Sequence, residues 1–353
     1  MRRILRTLLP GLGILLLGFL IGELGFKTIL DNLAQMKWSF LMILGLAFSW
    51  HVTNSIAWYF AFLPDAFRPR LRNLFMAKLA GESVNQLTPL ANLGGEPLKA
   101  YLLKNQSPTS RGLASVVINK TAQIMTGLML TVVAVGLIAL YWDLPRALPL
   151  SVRIGLPSLI LGAGLLIWLM YRRQQRLFSS LLAGLRRLGF NPDALESRIA
   201  KAVRIDANIS LFYREHKLRF FLVLLFHTLG WMLGVCETFV ILESLDTGVG
   251  FDIAFLITSL AVVINSLFFF MPSNIGVMES GHVFLFVTLG LSPAIGLSVG
   301  IAKRMRKIVW ICIGWLFLTY LSRTVSVAMP HTNVSSATTA QSADSFEPEY
   351  RAG

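Results

Sequence analysis

Residues 82–99 gather Glu82, Asn85, Gln86, Asn92, Gly94, Gly95, Glu96 and Lys99 inside a chain that is otherwise strongly apolar. Carboxylates and amides in an apolar setting can hold a polar headgroup and balance its charge. With a pKa raised by burial, Glu82 or Glu96 could instead serve as a general base. Glu82, Asn85 and Gln86 stand at i, i+3 and i+4, so a helix puts them on one face. Pro97 suits the first turn of a second helix running towards Lys104. Gly94, Gly95 and Glu96 then sit at that helix's N-terminus, where free backbone N–H groups and the positive dipole end favour a phosphate-like anion. Gly94 and Gly95 would let a headgroup come close to the backbone. Glu96 points the other way, towards capping the helix or binding a cationic headgroup. The plainer reading is a structural turn with a capping glutamate.

A second constellation resembles the first. Pro89-Leu-Ala-Asn92-Leu-Gly94-Gly-Glu96 and Pro272-Ser-Asn274-Ile-Gly276-Val-Met-Glu279 both run Pro, Asn, aliphatic, Gly, then Glu. Either this is a degenerate internal repeat, or it is chance in a chain with 28 glycines. Glu279 and His282 are i, i+3 and could pair. No further ligand stands at metal-site spacing, so no metal is expected, and no motif implies a cofactor. A third group is Asn119, Lys120 and Gln123. Lys120 either pairs with Glu82, Glu96 or Glu279, or snorkels to the interface. His227 and Glu237 do not share a face and read as interhelical hydrogen-bonding groups. Glu243, Asp246 and Asp252 read as solvated acids at the outer end. Arg304 and Arg306 either meet a lipid phosphate or simply mark topology. Cys236 and Cys312 read as packing residues. There is no Ser-His-Asp order, Walker loop, dinucleotide fingerprint or paired-cysteine site.

These groups need a membrane scaffold. The chain is 55% hydrophobic and 14% charged, against roughly 25% charged for soluble domains. Apolar windows at 8–26, 39–63, 112–140, 153–171, 218–243, 252–271 and 307–325 are long enough to cross a bilayer. The expected fold is therefore all-α: a polytopic helical bundle of about seven to eight spans. The net charge of +14 is dispersed in short clusters between the windows, which marks cytoplasmic loops and argues against nucleic acid. Arg2, Arg3 and Arg6 put the N-terminus in the cytoplasm, and the first apolar run is read as a retained helix. Arg68, Arg70 and Arg72, then Lys99, Lys104 and Arg111, mark the cytoplasm again. So do Arg172, Arg173, Arg176, Arg186 and Arg187, and finally Lys303, Arg304, Arg306 and Lys307.

That assignment leaves 74–104 entering and leaving on one side, as a re-entrant hairpin with its tip at the opening motif. By the same count 272–300 is a second hairpin, also from the cytoplasmic side. Broken apolar segments at matching places in two halves point to a transporter site. Residues 172–217 read as amphipathic helices, restarting at Asn191 and Pro192. They either lie on the inner surface or form a hairpin packed on the bundle. Residues 1–325 form one transmembrane domain and 326–353 a disordered tail.

At "GESVNQLTPLANLGGEPLKAYLL" and "MPSNIGVMESGHVFLF" the chain resembles the flippase-like transmembrane region of bacterial lysylphosphatidylglycerol synthases. In that family the region is associated with moving aminoacylated phospholipid between leaflets. The resemblance implies a lipid translocase of the bacterial inner membrane, with an anionic, aminoacylated or polyprenoid-type lipid as partner. It does not imply aminoacyl transfer, since the longest soluble stretch is 172–217. Competing readings are an intramembrane lipid-modifying transferase or its accessory subunit, and a non-catalytic scaffold for an envelope-lipid synthesis complex.

Overall fold

The computed structural model describes residues 34–65, 67–87, 94–141, 192–268 and 276–327, with isolated positions at 27, 31 and between 158 and 169. The expected spans at 8–26 and 153–171, residues 172–191 and the tail lie outside these or almost wholly so. The helices are α1 (Ser39–Ala61), α2 (Leu71–Leu87), α3 (Gly95–Leu102), α4 (Thr109–Tyr141), α5 (Pro192–Glu215), α6 (Lys217–Ser244), α7 (Phe251–Leu267), α8 (Val277–Thr288) and α9 (Pro293–Val327). Among the described residues four, α1, α4, α6 and α9, are long and apolar enough to cross a bilayer. α7 and α8 are apolar but shorter. The protein is thus an all-α, polytopic membrane bundle.

α1 and α6 lie side by side and antiparallel. At one end Arg219 donates to the carbonyl oxygens of Phe60 and Tyr59, at 3.2 and 3.1 Å. Midway, His227 Nδ1 meets Asn54 Oδ1 at 2.8 Å. At the other end Gln35 donates to Asp246 at 3.0 Å. α2 starts just beyond the Phe60 end and α7 just beyond the Asp246 end. α2 and α7 therefore start at opposite ends of the bundle, and Phe286 late in α8 and Ile295 early in α9 pack with Leu242 and Leu245 at the Asp246 end, which corrects the expectation that 272–300 is a hairpin from the same side as 74–104.

The remaining packing repeats about the α1/α6 pair. α2 packs antiparallel on α9, where Ser83 Oγ donates to Ile311 O at 3.0 Å. α7 packs antiparallel on α4, where Thr131 Oγ1 donates to Ser259 O at 3.1 Å. α3 packs on α4, and α8 on α9. Asp65, before α2, pairs with Arg111, in the first turn of α4. Chain entering and leaving the α2–α3 unit is thus at one end.

Two apolar cores occupy the two ends. One gathers Trp58, Leu74, Ala77, Leu103, Ile118 and Phe212. The other gathers Met36, Ile43, Ile241, Leu242, Ala254 and Phe286. The outer faces carry Phe48, Met129, Val133, Leu225 and Leu316, exposed as lipid-facing residues should be. α5 buries Ile205, Ile209 and Phe212 in the first core, so this part of 172–217 packs on the bundle. Of the cysteines, Cys236 is half-buried and Cys312 is exposed, so Cys312 is not a packing residue.

α9 corrects a second expectation. It runs unbroken through Lys303, Arg304, Arg306 and Lys307, which therefore do not form a loop. α7 ends at Leu267 rather than reaching 271, capped by Phe268. Gly276, before α8, has φ +76°, a conformation that a side chain resists. Gly276→Ala should lower stability by about 1–3 kcal/mol, read from unfolding in detergent; an unchanged midpoint would show that the turn relaxes.

Candidate functional site

The polar groups of the broken helices converge between the two apolar cores. A cavity of about 330 Å3 is lined by Glu82, Asn85, Gln86, Glu96, Lys99, Lys120 and Gln123. Trp50, His51, Trp231, Arg306, Lys307 and Trp310 also line it, among apolar residues such as Leu79, Leu128 and Ile311. A neighbouring space of about 230 Å3 is lined by Glu237, Glu279, His282, Lys303 and Arg304. The two share Trp50, Trp231, Val262, Asn265, Arg306 and Lys307, so they are lobes of one polar interior. Burying this much charge is costly unless each group is paired, and the pairing is nearly systematic.

In the larger lobe Lys78 bridges to Glu82 at 2.8 Å, one helical turn along α2. Lys78 Nζ also donates to His51 Nδ1 at 3.0 Å. The same ring nitrogen stands 3.4 Å from Glu82 Oε2, so His51 joins the Lys78–Glu82 pair. Lys99 reaches both oxygens of Glu96 at 3.0 Å. Asn85 Nδ2 donates to Glu96 Oε1 at 3.1 Å. Lys120 stands 3.9 Å from the same oxygen and donates to Gln123 at 3.3 Å. Lys120 is therefore an ion-pair partner of Glu96. In the smaller lobe Arg304 pairs with Glu279, and Arg306 with Glu237. His282 Nδ1 turns back to Met278 O at 2.6 Å, so the expected Glu279–His282 pair does not form. His227 reaches Asn54 on one side and Asn119 on the other, at 2.9 Å, as a bridge between α6, α1 and α4.

The glycines do not act as expected. The Gly95 N–H is taken by Asn85 Oδ1. A Cβ on Gly95 would run into the Gly81 carbonyl, because α2 and α3 cross there at backbone contact. Gly95 therefore serves helix packing, and its amide is not free for an anion. Gly94 has φ −61°, which any residue adopts. Gly94 and Gly276 do not line either lobe. Asn92 and Asn274 lie outside the described residues.

Residues 6–314 match the family model for the lysylphosphatidylglycerol synthase TM region. The chain belongs to this family. Curated relatives include a UPF0104 membrane protein of Methanothermobacter thermautotrophicus, 22% identical over 66% of this chain and 70% of the relative. A UPF0104 membrane protein of Pyrococcus horikoshii is 24% identical over 64% of this chain and 69% of the relative. No solved structure matches the chain. Among the described residues of this member of the lysylphosphatidylglycerol synthase TM-region family, no group of three His, Cys, Asp or Glu could hold a metal ion.

Sequence reasoning missed Lys78, His51, Lys303 and Lys307. Lys78 had a visible signal, its i, i+4 spacing to Glu82. His51, Trp50 and Trp310 carry none, since single polar or aromatic residues in apolar helices look alike whichever way they face. Lys303 and Lys307 were hidden inside a cluster that imitates a cytoplasmic loop.

Proposed function

We propose that the protein is a lipid translocase of the bacterial inner membrane, with the N-terminus cytoplasmic. A polar headgroup would dock in the two-lobed cavity while its acyl chains remain among the exposed apolar faces. The observation that carries this reading is a charged cavity between two apolar cores, walled by helices that break at its level. Broken helices around a polar site at mid-membrane are how secondary transporters hold substrate.

In this reading α2–α3 and α7–α8 are two re-entrant hairpins, related by an inverted repeat. Glu96 on α3, with Lys120 on α4, corresponds to Glu279 on α8, with Arg304 on α9. The first hairpin would open to the cytoplasm, beside Arg68, Arg70, Arg72 and Lys104. The second would open to the opposite side, beside Glu243, Asp246 and Asp252. Each hairpin would close one route to the cavity, so rocking of one half against the other would expose the headgroup to each leaflet in turn.

The test is leaflet exchange of labelled phospholipids in liposomes carrying the purified protein. Exchange faster than in empty liposomes is expected. No acceleration across anionic, zwitterionic and aminoacylated headgroups would count against translocation. A chemically altered lipid in the same vesicles would favour an intramembrane transferase instead.

A further inference from the structure

We propose that Lys120, Lys303 and Lys307 form an anion site that takes the phosphate of a negatively charged lipid headgroup. The proposal rests on the translocase reading and names its substrate class. It follows from the pairing of the buried charges. Glu82, Glu96, Glu237 and Glu279 each have a dedicated cation in Lys78, Lys99, Arg306 and Arg304. Three cations remain over. Lys120 is 3.9 Å from Glu96, whose two oxygens Lys99 already holds. Lys303 donates to a neutral hydroxyl, Thr238 Oγ1, at 2.8 Å. Lys307 makes no hydrogen bond or ion pair with any described residue.

The missing negative charge does not come from the joining stretches. Residues 88–93 and 269–275, which link α2 to α3 and approach α8, contain no Asp or Glu. Lys307 lines both lobes, Lys120 the larger and Lys303 the smaller. Lys307, without a carboxylate partner, thus stands where the lobes meet, with Lys120, the more distant of two cations on Glu96, on one side and Lys303, bonded to a hydroxyl, on the other. A half-buried ammonium without a carboxylate partner at this depth is an open position for a ligand that supplies the opposite charge. Lysine binds phosphate as a point charge with three freely turning donors. A phosphate passing from Lys120 through Lys307 to Lys303 would meet a cation at every station. A cationic aminoacylated headgroup would instead add charge to a site already in excess.

The test uses the full chain in neutral detergent and reads its tryptophan fluorescence, since Trp50, Trp231 and Trp310 line the larger lobe. Dihexanoyl phosphatidate should give a saturable change, and dihexanoylglycerol should give none. Lys307→Gln should weaken phosphatidate binding by about tenfold or more, as expected for losing one charged hydrogen bond. Lys307→Arg should stay close to the parent. Lys307→Gln should also melt no lower than the parent, because it loses no partner; a lower Tm would reveal a structural ion pair and overturn the proposal. Undiminished binding by Lys307→Gln, or equal binding of the uncharged diglyceride, would overturn it too. Inorganic phosphate binding as tightly as phosphatidate would make this a free-anion site and remove the lipid assignment. Leaflet exchange separates the two readings. Exchange indifferent to headgroup charge sinks the anion site and leaves translocation standing. Charge-selective binding without exchange does the reverse.

Discussion

Glu279→Gln should destabilise the folded protein by about 3–5 kcal/mol, the range for removing one partner of a buried ion pair. The Glu279 side chain is 1% exposed, and the Arg304 side chain facing it is 21% exposed. That residual access lets the orphaned guanidinium recover some hydration, so the lower end of the range is expected. Lys303, Arg306 and Lys307 flank Arg304 on the same helix and raise the local positive charge once the carboxylate is gone. The double variant Glu279→Gln/Arg304→Gln should recover most of the loss, because it removes the uncompensated charge as well as the pair. Unfolding midpoints of the parent, both single variants and the double variant close the cycle. A double variant as unstable as the sum of the singles would mean that the two groups do not depend on each other.

The membrane class and the grouping of the site were legible in the sequence, because both depend on short-range patterns. Glu82, Asn85 and Gln86 share a face because helical spacing requires it, and all three line the cavity. Pro97 correctly marked a helix start, at Gly95. The orientation of the second broken stretch was not legible. Positive-inside counting treats every cluster of Lys and Arg as a loop, yet Lys303, Arg304, Arg306 and Lys307 lie within α9 and face the polar interior. Arg304 and Arg306 pair with Glu279 and Glu237, which are distant in the sequence, so no local window could separate a cavity wall from a cytoplasmic turn. The same blindness hid the role of Gly95. A glycine beside a helix start looks like a ligand cradle, and only the position of Gly81 on α2 shows it to be a helix crossing.

Glu96→Gln tests the corresponding charge in the other hairpin, and its loss should be at least as large, again about 3–5 kcal/mol. The substitution keeps an oxygen for Asn85 Nδ2, which donates at 3.1 Å, so the polar contact between α2 and α3 can survive. What it removes is the charge facing Lys99, whose side chain is 9% exposed, and Lys120, whose side chain is 36% exposed. Lys120 can turn to water, but Lys99 cannot, since the α2–α3 crossing at Gly81 covers its stem. The upper half of the range is therefore expected here, against the lower half for Glu279. Lys99→Met in the Glu96→Gln background should restore stability, whereas Lys120→Met should restore much less. If Lys120→Met is the better rescue, the Glu96–Lys99 contact is not the pair that holds this hairpin. The ion pair would then be shared between hairpin and wall in the first half as Glu279–Arg304 is in the second, a more symmetric arrangement of the charges.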